Sequence, residues 1–316
     1  MQNLIPDGVL NWLLEEENPS VRYRTMVELL DRNEDDGEVR RTREKIAASE
    51  PVRILLGSMH PDGYWLQKNP RTGQVLGDDV EYGAYGTTHY VLSYLSELGI
   101  DRNNPMVSRA AERYLDLQRN DGDFYRHFSC LLGYNIRTFV NLGYRGDRRV
   151  RRSIDLLLDT DRADGGYLCD MHEGRYKTRP TKSCIRGAVK VLLAFSQLPE
   201  YWEYDRVGRL VDYFLERGGI FRSTDPGELV NRDMGMTSFP ITWRANAFEV
   251  LVALGRMGCG EDGRLASARV VLNSKMNGGG KYTLDWTPGQ CPWKVGKRGE
   301  PNKWVTFYSY LARKFA

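Results

Sequence analysis

A chain of 316 residues with 41% hydrophobic and 11% aromatic content has enough apolar material for a large packed core, and its length alone leaves one or two domains open. Lys and Arg number 45 against 42 Asp and Glu, and the net charge of +3 is too small for the electrostatic footprint of a nucleic-acid-binding protein. Neither a membrane span nor a signal peptide is legible, and five cysteines in so long a chain do not make a disulfide scaffold, so a cytoplasmic protein with reduced thiols is expected.

Helical periodicity opens at Val9 to Glu16 and breaks at Asn18-Pro19. Pro19 suits the opening of a second helix, Ser20 to Asp31, where its missing N–H costs little. Glu38 to Ala48 and Val52 to Met59 complete an N-terminal group, and a Gly-, Asp- and Asn-rich loop runs from Leu66 to Tyr85. From there the helical patterns alternate in character. Thr87 to Leu98, Ser129 to Leu142, Lys182 to Leu198, Thr242 to Met257 and Asn302 to Phe315 are the more apolar set. Val107 to Gln118, Arg148 to Asp159, Asp205 to Arg217 and Gly263 to Ser274 carry charge on one face.

Between these patterns a short aromatic-glycine turn recurs: Asp62-Gly63-Tyr64-Trp65, Asp121-Gly122-Asp123-Phe124 and Asp164-Gly165-Gly166-Tyr167. Weaker copies stand at Gly218-Gly219-Ile220-Phe221 and Gly278-Gly279-Gly280-Lys281-Tyr282. A recurrence near every fifty residues means that one helix pair is reused. Helices apolar most of the way round are buried and amphipathic ones lie outside. Counting Ser20 to Asp31, six such pairs close into a double ring, so the predicted fold is an all-α (α/α)6 toroid in one domain, 1–316, with residues 1–60 completing the ring. Inner helices share a direction, which gathers their N-termini and the turns at one mouth.

Asp62-Gly63-Tyr64-Trp65 and Gln118-Arg119-Asn120-Asp121-Gly122-Asp123-Phe124 resemble the QW repeats of squalene–hopene cyclases and protein prenyltransferase β subunits, over roughly residues 50 to 316. The resemblance implies a terpenoid-cyclase-type toroid with an apolar, isoprenoid-like substrate in its cavity. The cyclases' DxDD acid motif is missing; the nearest string, Asn33-Glu34-Asp35-Asp36, lies in an N-terminal loop. Prenyltransferase β subunits carry zinc at the corresponding mouth through Asp, Cys and His, and they require a second subunit, so a partner subunit stays open here.

The Cys and His residues point to chemistry at that mouth. His127-x-x-Cys130 opens the third inner helix, Cys169-x-x-His172 follows the third turn, and Cys184 opens the fourth inner helix. Helix N-termini favour thiolates, and zinc accepts Cys and His in a tetrahedron. The predicted ligands are Cys130, Cys169 and Cys184 with His172 as the fourth, and His127, His89 or water as substitutes. An iron–sulfur cluster using Cys291, or three inert buried cysteines, are the alternatives. His89, Asp79 and Asp170 are candidate catalytic groups, and Trp65, Trp243 and Trp304 candidate cavity-lining residues. Three functions compete: a zinc enzyme acting on an apolar substrate, a non-catalytic binding or scaffold protein with a structural zinc, and a carbohydrate-active toroid using carboxylates such as Asp79 and Asp170.

Overall fold

The computed structural model describes residues 4–68, 72, 75–76, 85–124, 127, 129–175 and 181–316. Helix α1 (Asp7–Leu13) leads to α2 (Pro19–Arg24), whose first position is Pro19 and whose cap, Asn18, accepts from the Val21 amide at 3.2 Å. A π-helical turn, Thr25–Leu29, extends α2. Asp36 caps α3 (Gly37–Ile46) by accepting from the amides of Glu38 and Val39, and α4 (Glu50–Gly57) follows. Then come α5 (Thr88–Leu98), α6 (Pro105–Leu115), α7 (Ser129–Asn141), α8 (Arg148–Asp159), α9 (Ile185–Phe195) and α10 (Asp205–Leu215). The series ends with α11 (Ala247–Leu254), extended by a π-helical turn at Gly255–Cys259, then α12 (Ala266–Asn273) and α13 (Lys303–Lys314).

The alternation read from the sequence is the layering of the molecule. Every residue of α5 and α11 is buried, and in α9 every residue but Arg186. Outer helices bury one stripe only: in α8 it is Val150, Ser153, Ile154 and Leu157, the i, i+3, i+4, i+7 pattern of one helix face. Around the inside, α5 packs on α7, α7 on α9, α9 on α11 and α11 on α13, and α13 returns to α2 and its π turn. The expected all-α toroid is the observed fold.

The glycine turns set the spacing of this ring. Gly122 (φ +92) and Gly165 (φ +74) are left-handed, and a Cβ on either would stand 2.5 Å from the carbonyl oxygen of Arg152 or Arg209 on the next outer helix. No residue with a side chain fits there. The equivalent glycines Gly63 and Gly218 abut Arg109 of α6 and the Arg264 carbonyl just before α12. Gly280 instead abuts Pro6 and Val9, so α1 takes the outer-helix place in the last pair. A second repeated contact joins turn to inner helix: the Trp65 amide donates to Thr88 Oγ1 and the Tyr282 amide to Thr306 Oγ1, both at 2.9 Å.

Several boundaries differ from the sequence expectation. The fifth inner helix starts at Ala247 rather than Thr242, because Asn246 caps it through the Glu249 amide at 3.3 Å. The fourth starts at Ile185 rather than Lys182, because Asp164 holds the Ser183 amide and hydroxyl at 3.0 and 2.6 Å outside the helix. Two short antiparallel hairpins were not expected, β1 (Gln67–Lys68) with β2 (Val75–Leu76) and β3 (Phe221–Arg222) with β4 (Asp225–Leu229). Their strands are too short to display a period of two.

Candidate functional site at the ring mouth

Two of the three predicted cysteine ligands meet. Cys130, in the first turn of α7, and Cys169, just past the third glycine turn, are buried with sulfurs 3.3 Å apart. The chain folds this way locally because the Ser129 hydroxyl donates to the Leu168 carbonyl (3.1 Å), tying the start of α7 to the residue before Cys169. The Cys130 thiol, together with the amides of Cys130 and Ser129 at the α7 N-terminus, draws the Cys169 thiol below its ordinary pKa.

Cys184 is the N-cap residue of α9 and the neighbour of this pair. Burial pushes its thiol up, against the opposing pull of the Gly187 and Arg186 amides. Gly187 lies near both residues: a Cβ built there would stand 3.7 Å from Cys130 Cβ and 3.8 Å from Cys184 Cβ. The predicted four-ligand set is not assembled as drawn from the sequence. Among the described residues, no group of three His, Cys, Asp or Glu side chains is arranged to hold a metal ion. His172 lies in a one-turn 3₁₀ helix, Asp170–His172, where its amide donates to the Cys169 carbonyl at 2.8 Å. His127 directs Nε2 toward Thr160 Oγ1, 3.4 Å away at the end of α8. Cys291, the proposed fourth thiolate of an iron–sulfur cluster, lies between Gln290 and Pro292 in a different segment, where burial pushes its thiol up to about 12.

The predicted cavity residues divide. Trp243 stands half-buried at the mouth, donating from Nε1 to Tyr85 OH at 2.9 Å. The guanidinium of Arg186 lies 4.7 Å from its ring centre and that of Arg244 5.2 Å. Both arginines bind Asp233, at 2.5 and 2.6 Å, and Arg244 also lies over Trp286 at 4.5 Å. Trp65 lines a cleft of about 370 Å³ with Gln67, Gly86 and Pro292, but its indole N–H is committed to the Leu55 carbonyl of α4. Trp304 is packed flat on Phe239, ring centres 4.5 Å apart, with 4% exposure, and borders a cleft beside Trp293.

The candidate catalytic groups fare less well. His89 is 1% exposed, packed against Tyr90, Tyr114 and Tyr134, so it belongs to the helix wall rather than to an open cavity. Helical period explains this: its position on α5 faces Tyr114 of the outer helix α6. Asp170 is exposed on its 3₁₀ turn, and Asp79 lies outside the described residues. Inside the ring, aromatic side chains pack on one another edge-on or tilted: Tyr85 against Tyr90, Tyr90 against Tyr134, and Tyr94 against Trp293, with ring centres 5.1 to 5.3 Å apart.

A buried charged layer went unread. Arg24 donates to Glu97, to Glu28 (2.5 Å) and to Tyr308 OH (2.6 Å); Arg137 donates to Glu97 (2.6 Å) and Arg256 to Glu28 (2.7 Å). Lys190 donates to Glu249, each 1% exposed. Burial pushes Glu97 up, but Arg137 and Arg24 more than offset it and hold its carboxyl below the ordinary value. For Lys190 and Glu249 burial prevails, lowering the ammonium and raising the carboxyl. The signal was present in the sequence as single charges inside otherwise apolar helical patterns.

No protein-family model matches the chain, and no curated protein matches it. Solved structures do. A glycosyl hydrolase family 88 protein from Bacteroides vulgatus matches with a TM-score of 0.54 at 13% identity, over 95% of this chain and 92% of that one. A polysaccharide lyase matches with a TM-score of 0.51 at 12% identity, over 95% and 88%. A type II terpene cyclase from Scytonema gives a TM-score of 0.34 at 14% identity, over 86% and 96%. At these identities the likeness is one of fold, and the chain is similar to α/α-toroid enzymes without inheriting a reaction from them.

Proposed function

We propose that the protein is a toroid enzyme whose centre is a soft-metal site at the ring mouth, with Cys130, Cys169 and Cys184 as ligands, zinc as the metal, and His172 or water in the fourth position. The observation that carries this reading is the 3.3 Å approach of the Cys130 and Cys169 sulfurs at the N-terminus of α7, with Cys184 at the N-terminus of α9 beside them. The donor chemistry suits zinc, although the three thiols are not arranged around one point here: sulfur ligands are soft, and the α7 N-terminus favours the anionic form of Cys169. Zinc bound there supplies Lewis acidity or an activated thiol or water. The apolar part of a substrate would rest on Tyr85, Trp243 and Trp286 at the mouth, since the aromatic side chains deeper in the ring pack against one another edge-on.

A second reading, a carbohydrate-active toroid, is favoured by the rim itself. Two tryptophans and two arginines around Asp233 offer stacking faces and fixed donors of the kind that hold a ring bearing a carboxylate. Elemental analysis of the protein purified under reducing conditions tests the first reading, which requires one zinc per chain and its loss in Cys130→Ser and Cys169→Ser. Full occupancy in both variants refutes it. A metal-free protein that still degrades an acidic oligosaccharide favours the second.

A further inference from the structure

The end of the ring opposite the mouth carries a second, independent feature. A cavity of about 300 Å³ opens there among the C-terminal ends of the inner helices, lined by Arg24, Glu28, Asn141, Gln197 and Arg256, with Glu34, Arg43 and Asp101 at its edge. The volume lies at the lower limit of small-molecule sites.

Arg24, Glu28 and Arg256 of the buried charged layer form its floor, and within that layer Arg137 pairs with Glu97. Counting Lys190 with the three arginines against Glu28, Glu97 and Glu249, the cations of the layer exceed its carboxylates by one. Donors are left over: Arg256, on the cavity wall, engages Glu28 through Nη2 alone, and Arg137, outside the lining, has Nε and Nη1 buried without an acceptor. At the edge the balance is reversed. Arg43 binds both Glu34 (3.1 Å) and Asp101 (2.8 Å), one carboxylate more than cations.

Helix C-termini attract cations, which accounts for arginines collecting at this end. It does not account for the amides. The Gln197 Oε1 atom is buried with no partner, and neither the Gln197 nor the Asn141 side chain has a hydrogen-bond partner among the described residues, although both line the cavity. A buried amide oxygen is ordinarily satisfied, so the unpartnered Gln197 Oε1, with the half-buried Asn141 amide on the same cavity wall, marks a position that a ligand fills.

We propose that this cavity binds a small zwitterion, a molecule with a carboxylate directed at Arg256 and an ammonium group directed at Glu34 and Asp101, its middle held by Asn141 and Gln197. An amino acid whose two charged groups are separated by a short chain has this chemistry. The site is separate from the cysteine centre and does not depend on it.

Isothermal titration calorimetry of the full chain with a series of ω-amino acids, from glycine to 6-aminohexanoate, tests it, with acetate, methylammonium and inorganic phosphate as single-charge probes. One member of the series should bind at least ~10-fold more tightly than acetate or methylammonium, as paired charged contacts require. Gln197→Leu and Asn141→Leu remove no ion pair and should keep the wild-type circular dichroism, yet each should weaken that binding about 10-fold. Glu34→Gln should abolish the preference for the zwitterion while acetate binding persists. The assignment is overturned if no amino acid in the series binds, if phosphate or methylammonium binds best, or if Gln197→Leu and Asn141→Leu leave the affinity unchanged.

Discussion

The sulfurs of Cys130 and Cys169 lie 3.3 Å apart although the residues are 39 positions apart in sequence, one opening an inner helix and the other following a turn. Two thiolates on one tetrahedral zinc, each about 2.3 Å from it, stand roughly 3.8 Å apart, so the pair needs only a slight separation to receive the ion. Cys130→Ser and Cys169→Ser should each lose stoichiometric zinc, while Cys259→Ser and Cys291→Ser should retain it. Sulfur scatterers in the zinc X-ray absorption spectrum of the wild type, reduced in number in the first two variants, check the assignment.

Gly187 gives a subtler test of the same centre. A methyl group there meets Cys130 and Cys184 at ordinary van der Waals distance, so Gly187→Ala should fold normally. By crowding the Cβ atoms of Cys130 and Cys184 it should weaken zinc binding about 10-fold, as changes beside metal ligands commonly do. Competition with a chromophoric chelator measures this, and an unchanged zinc affinity would place the metal elsewhere.

Lys190 and Glu249 form a fully buried pair between α9 and α11. Lys190→Met alone strands a buried carboxyl and should cost about 3–5 kcal/mol in chemical denaturation. The double variant Lys190→Met/Glu249→Leu removes both desolvation penalties and should recover most or all of that loss. Equal destabilisation by the single and double variants would show that packing, not the pair, sets the stability.

Gly122→Ala and Gly165→Ala combine a left-handed backbone with a Cβ set against a carbonyl oxygen. Each should lower stability by about 2–5 kcal/mol, from backbone strain and overpacking together. Gly146→Ala meets nothing within 4 Å and should stay within about 0.5 kcal/mol of the wild type. Thermal and urea denaturation of the three variants make the comparison.

The Glu97 carboxyl titrates below its ordinary value in the folded chain because Arg137 and Arg24 outweigh its burial. A folded-state value lower than the unfolded one, about 4.3, adds stability that is complete above that pH and disappears as the pH falls through the folded value. Stability measured between neutral pH and pH 3 should therefore fall more steeply in the wild type than in Glu97→Gln. Parallel curves for the two proteins would assign the acid sensitivity to other carboxylates.

The sequence alone determined the ring. Periodicity separates apolar α5, α9 and α11 from striped α8, and the glycine turns mark where outer helices pass to inner ones, because those patterns are local and repeat in each pair. Residues at helix starts were equally legible: Cys130 lies in the first turn of α7 and Cys184 caps α9, while Cys169 follows the third glycine turn. What only the tertiary structure decided were side-chain directions and partners across the ring. His89 begins an inner helix as expected, yet it packs into the wall, since a rotation of one residue along a helix turns a side chain by about 100°. Arg24, Glu97 and Arg137 are 73 and 40 positions apart and become neighbours only when the ring closes. A one-dimensional pattern records which helix is buried, whereas the matching of one buried charge to another depends on the closure that brings distant helices face to face.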